Sequence, residues 1–216
     1  MSSYIRGAAA LVIVLLGCSP DKPAADTTAA AAPHDMAGMA GHDMKGMDIK
    51  ITIPKGALYT VADVQFMQGM IAHHAQAIFM SHLAAKNGAN PRLVKFATKI
   101  DQSQMTEIQQ MQGWLLANGQ VAPDTSSYHH MMMDGMLSPE QIKTLEAARG
   151  AEFDAHFLNM MIQHHEGALK MVEDLLASPG AAQDVDISVF ANDVVSVQTA
   201  EIGTMRQMLQ EMPAKP

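Results

Sequence analysis

Phe66-Met-Gln-Gly-Met70-Ile71-Ala-His73-His74-Ala-Gln-Ala77-Ile78-Phe-Met80 recurs 91 residues later as Phe157-Leu-Asn-Met-Met161-Ile162-Gln-His164-His165-Glu-Gly-Ala168-Leu169-Lys-Met171. A second pair of segments matches at a spacing of 94. There Gln104, Glu107, Ile108, Met111 and Leu115 correspond to Gln198, Glu201, Ile202, Met205 and Leu209. Each half therefore reads as a helical hairpin, a His-His helix followed by a Gln/Glu/Met helix. Two such hairpins bury their apolar stripes together as an all-α four-helix bundle.

At about 100° per residue, Phe66, Met70, His74, Ala77, Ser81 and Ala84 share one stripe. Phe157, Met161, His165, Ala168, Val172 and Leu175 form its copy. The second His of each pair is thus expected to point into the bundle. His73 and His164 are expected nearer the edge, with Met80, Met160 and Met171. A buried imidazole needs partners for two nitrogens, so paired histidines in both halves are costly as packing alone. Met-x-x-His-His also puts thioether and imidazole on neighbouring turns. The expected metal ligands of the bundle are His73, His74, His164 and His165, with Met70, Met161, Met80, Met160 and Met171. The competing reading of each Met is core packing, which Met does well.

Outward from the repeat, helix signals bound a domain over residues 57–216. A helix over 61–87 stops at Asn87-Gly88, and Asn90-Pro91 caps the next, which runs to Ala117. Residues 119–137 read as irregular. Ser138-Pro139-Glu140-Gln141 is a capping-box start for a short helix to Arg149. Long helices follow over 151–177 and 185–212. The only strand-like stub is Ile49–Ile53.

Upstream, residues 1–17 read as a lipoprotein signal peptide. Arg6 supplies the positive start, and Ala8 to Leu16 is apolar but too short to span a bilayer. Leu15-Leu16-Gly17-Cys18 resembles a bacterial lipobox, with Cys18 as the lipidated residue. Ser19 in place of Asp implies an outer-membrane destination facing the periplasm. Residues 18–56 are a tether poor in large apolar side chains. Within it, residues 34–47 hold two copies of His-Asp-Met-x-Gly-Met, giving His34, Met36 and Met39, then His42, Met44 and Met47. Gly and Asp make this tag a poor helix and a poor strand, so its thioethers have no packing role.

The 216 residues include 20 Met, 10 His and 1 Cys, with a net charge of −8. A lone Cys excludes a disulfide framework and a thiolate zinc site within one chain. The acidic balance argues against nucleic acid as a partner. Thioether and imidazole without thiolate or dense carboxylate suit copper, Cu(I) above all. Methionine also survives oxidising surroundings that consume thiols. A third cluster, Tyr128 to Met136, lies between the two halves and adds His129, His130 and Met131 as candidate ligands.

The doubled Phe-x-x-x-Met-Ile-x-His-His, followed by Gln-x-x-Glu-Ile-x-x-Met, resembles the bacterial "domain of unknown function 305" family over residues 59–212. The resemblance implies a ferritin-like four-helix bundle. It implies copper binding and copper resistance, which some exported members are associated with. The family's His-His pairs map onto His73, His74, His164 and His165. The tag is similar to Met/His-rich segments of periplasmic copper-resistance proteins. One departure matters: ferritin-like di-iron enzymes use Glu-x-x-His, which this chain lacks. Glu107 and Glu201 are expected to orient imidazoles instead. The sequence thus reads as an exported, lipid-anchored copper-binding protein and not an enzyme. It would sequester Cu(I) or pass it to an envelope copper-handling protein. A metal-dependent redox enzyme and a metal-independent interaction module are the alternatives.

Overall fold

The structure, a computed structural model, describes residues 51–212. Five α-helices form: α1 Val61–Lys86, α2 Pro91–Ala117, α3 Pro139–Ala147, α4 Gly150–Ala177 and α5 Val185–Glu211. The expected punctuation is in place. Thr60 and Asp63 close a capping box on α1, Asn90 caps α2 ahead of Pro91, and Ser138 with Gln141 caps α3. Each cap satisfies backbone N–H groups that the first helical turn leaves without partners. Two readings are corrected. Residues 119–137 include a 3-10 turn, Thr125–His129, which packs on α1. Residues 51–53 form no strand; Ile51 and Ile53 pack against the core instead.

Helices α1 and α2 pair, α4 and α5 pair, and α1 lies against α4 to join the hairpins. A buried carboxylate braces each half. Asp63 Oδ1 accepts the Ala182 N–H at 2.7 Å, and Asp154 Oδ1 accepts the Asn90 N–H at 3.0 Å. These aspartates are themselves 91 residues apart, so the repeat includes a reciprocal tie from each hairpin to the turn of the other.

The core is in two pieces. One holds Phe66, Met70, Met111, Trp114, Val172 and Phe190. The other holds Met80, Ile100, Phe153, Phe157, Met161 and Met205. The first takes the N-terminal half of α1 and the C-terminal half of α4, so those two helices run antiparallel. Between the two pieces, at the middle of all four long helices, lies a polar layer: His73 and His74, Gln104 and Glu107, His164 and His165, Gln198 and Glu201. Among the described residues, no helix is long and apolar enough to cross a membrane.

Candidate metal centre

All four imidazoles of the layer are fully buried. His74 and His165 are buried as expected, and the expected edge position of His73 and His164 is corrected. His73 and His164 are not at an edge; their rings stack at the α1–α4 contact, centroids 3.7 Å apart and tilted by 40°. His74 and His165 turn toward the other helix of their own hairpins. His74 Nε2 meets Glu107 Oε2 at 2.6 Å, and His165 Nε2 meets Glu201 Oε2 at 2.7 Å. The reason is geometric. Adjacent residues on a helix stand about 100° apart, so one of each pair faces the partner hairpin and the other faces its own. A single-stripe reading admits only one of them.

The acceptors set the tautomers. A carboxylate or a carbonyl oxygen can only accept, so the Nε2 of His74 and of His165 carries the proton. His73 Nε2 likewise donates to the Asp134 carbonyl at 3.1 Å. In the neutral form of all three rings Nδ1 is therefore the lone-pair nitrogen, and in all three it has no partner. His164 has no partner on either nitrogen. The difference between His73 and His164 has a cause: the connection joining the halves brings the Asp134 carbonyl to His73, and no described residue brings an acceptor to His164. Burial first, then the neighbouring His74 and His165 rings, hold the His73 imidazole well below the usual histidine range. Burial, then His73 and the other two, does the same for His164. Both rings are neutral at pH 7, the form that ligates a metal.

Gln104 and Gln198 complete the layer. Each is 2% exposed, and neither amide oxygen nor amide nitrogen has a partner. Nine of the eleven buried, unpartnered side-chain polar atoms among the described residues belong to this layer. Each such atom costs about 1–3 kcal/mol when it stays without a partner. Thioethers flank the layer on both sides. Met70 and Met111 cap it from one core piece, Met161 and Met205 from the other, all with no exposed surface. Gln104, Gln198, Met111 and Met205 were not among the expected site residues, although all four stand in the second matching segment.

Other expected ligands lie elsewhere. Met80 is buried in the second core piece, two turns beyond His73, where it fills space beside the aromatic side chains. Met160 and Met171 are half-buried at the core margins. His129 and His130 are exposed, with the His129 ring on Tyr128 at 4.0 Å, and Met131 is half-buried. Cys18 and the tag residues His34, Met36, Met39, His42, Met44 and Met47 lie outside the described residues. Among the described residues, no three His, Cys, Asp or Glu groups stand ready to enclose an ion. The donor set nonetheless fits copper: neutral imidazole nitrogens, carboxylates bonded behind two of them, and thioethers at either side.

The family model described as "Domain of unknown function (DUF305)" matches residues 63–209. The chain belongs to the DUF305 family. A DUF305 protein from Streptomyces coelicolor, provisionally described as secreted, is 26% identical with a TM-score of 0.63, over 71% of this chain and 95% of that one. A DUF305 fragment from Deinococcus radiodurans is 29% identical with a TM-score of 0.62, over 71% and 98%. CopM in its Cu(I)-bound form is 28% identical with a TM-score of 0.55, over 69% and 96%. CopM has also been solved in Cu(II)-bound and Ag-bound forms. No curated protein matches the chain. The matched span of the DUF305 domain contains the whole polar layer.

Proposed function

We propose that this DUF305 protein binds copper as cargo, with Cu(I) preferred, and holds it in the polar layer through imidazole Nδ1 atoms. The observation that carries this reading is the set of Nδ1 atoms, buried and unpartnered in all four histidines, three of these rings being oriented by an acceptor behind Nε2. Such an acceptor fixes the ring and raises the basicity of the ligating nitrogen. Met70, Met111, Met161 and Met205 supply soft donors next to it. The copper and silver complexes of CopM support the same reading.

In this reading the protein is exported, anchored through a lipid on Cys18 at the outer membrane, and faces the periplasm. The Met/His tag captures ions loosely, and the bundle holds them tightly for sequestration or transfer to an envelope protein. No reaction is needed, and the protein is not an enzyme.

The test is anaerobic competition against a chromogenic Cu(I) chelator. Three proteins are compared: the chain without residues 1–17, the same chain lacking 34–47, and a variant with His73, His74, His164 and His165 replaced by Gln. Tag deletion should remove weak equivalents and leave the tight one. The four-His variant should lose the tight one. Tight binding that survives all four replacements would end this reading.

A further inference from the structure

The connection between the halves carries four methionines in six positions, 131–136, and two of them enter a cluster apart from the histidine layer. Met133 Sδ lies 3.0 Å from where a Cβ of Gly69 would stand, and the Met171 Cε methyl lies 3.5 Å from the same point. Two thioethers, one from the connection and one from α4, thus meet over a bare patch of α1. Met136 Sδ is a third, accepting the Met133 N–H at 3.3 Å. Met133 and Met171 are half-buried, so an ion can reach them from solvent, whereas Met136 is buried.

The backbone is built to hold this arrangement. A Cβ on Gly167 would stand 2.0 Å from the Asp134 carbonyl oxygen, and one on Gly135, whose φ is +77°, would stand 2.6 Å from the Gln163 carbonyl oxygen. The connection therefore lies directly on α4. On the α1 side, the Gln76 side chain bonds both backbone groups of Leu137, at 2.7 and 3.1 Å. The repeat shows that these are departures from symmetry. Gly69 stands where the other half has Met160, and Gly167 stands where it has Gln76. A glycine inside a helix costs about 1 kcal/mol relative to alanine, so both helices lose stability to admit the connection and its methionines.

We infer that Met133 and Met171, with Met136 beside them, form a second site for a soft monovalent ion, Cu(I) or Ag(I), separate from the imidazoles. Neutral thioethers without carboxylate select such ions over Zn or Mg. The site is coupled to the first by one peptide: Asp134 follows Met133, and its carbonyl accepts the His73 Nε2–H. An ion on Met133 therefore sits next to the group that orients a buried ring. The inference rests on the copper reading above for the fate of the ion, but the site stands on its own donors.

The experiment is Ag(I) titration of the full chain carrying 13C-methyl methionine, followed by NMR. Met133→Leu and Met171→Leu assign the two methyl signals; Met-to-Leu exchange keeps volume and fold, checked by circular dichroism. The two signals should move together and saturate at one shared equivalent, in the wild type and also with His73, His74, His164 and His165 replaced by Gln. The double Leu variant should take up one Ag(I) fewer. Signals that stay fixed while other methionines respond would overturn the site. Signals that move only when the imidazoles are present would overturn its independence. Tight Cu(I) binding that survives replacement of the four histidines, with these shifts intact, would sink the layer proposal and leave this site standing.

Discussion

His164→Leu should make the metal-free protein more stable while removing the metal-induced gain. The wild-type ring is fully buried with neither nitrogen paired. A neutral imidazole carries one donor and one acceptor, and each costs about 1–3 kcal/mol when buried alone. Leucine removes both. Against this stands the ring stack on His73 at 3.7 Å. Such a stack contributes about 0.5–1.5 kcal/mol. The net is a gain of about 0.5–5.5 kcal/mol, with water admitted to the layer lowering it toward the bottom of that range. For a domain of this size each kcal/mol moves Tm by about 2–4 °C, so the rise should be on the order of 5 °C. The assay is thermal and urea unfolding with chelator, repeated with Cu(I) or Ag(I) under anaerobic conditions. The wild type should gain about 2.7 kcal/mol at a free ion concentration one hundred times Kd, and the variant much less. His74→Leu is the control with opposite sign. It breaks the 2.6 Å bond to Glu107 and leaves a carboxylate only 20% exposed, so stability should fall. If His164→Leu destabilises the metal-free protein as His74→Leu does, the imidazole is a structural element and the reasoning fails.

Acidification should destabilise the metal-free protein in a defined window. The folded pKa of His73 and of His164 lies well below 6.5, so below pH 6.5 the unfolded chain binds more protons than the folded one. Stability is therefore independent of these rings above that pH and falls below it, by about 1.4 kcal/mol per pH unit per ring until the folded pKa is reached; urea midpoints from pH 8 to 5 read it. Gly167→Ala places a methyl 2.0 Å from the Asp134 carbonyl oxygen. It should detach residues 131–137 from α4, seen as new proteolytic cleavage there while the helices keep their circular dichroism. Asp63→Ala removes acceptors for the Thr60 and Ala182 N–H groups, each at 2.7 Å, and should cost about 1.5–3 kcal/mol in urea unfolding.

Much of the fold could be read from the chain because its information is local and doubled. Asn90-Pro91 and the Ser138–Gln141 box bound helices by their own chemistry, and the 91-residue repeat implies two hairpins. The site was legible as a set of residues but not as a geometry. Which histidine of each pair meets its counterpart depends on how α1 rolls against α4, and that is settled by the whole core. The helical wheel put His74 and His165 at the centre, whereas the stack is between His73 and His164. Gln104 and Gln198 were visible in the repeat, yet a glutamine on a helix is ordinarily solvated. Only burial with no partner marks them as part of the site. The same holds for Asp63 and Asp154, whose spacing of 91 residues is plain once their reciprocal bonds are known. The 3-10 turn at Thr125–His129 escaped because so short an element has no periodicity to read.

The central claim is that the layer binds copper through Nδ1. It is tested most directly by long-range 1H–15N NMR of the full chain labelled at histidine, during anaerobic titration with Cu(I). Before copper, His73, His74 and His165 should show protonated Nε2 and lone-pair Nδ1. On addition of the first tight equivalent, the Nδ1 signals of the buried rings should move while Nε2–H persists in His74 and His165, held by Glu107 and Glu201. Buried Nδ1 signals unchanged after the tight equivalent is bound would place the ion elsewhere and contradict the claim.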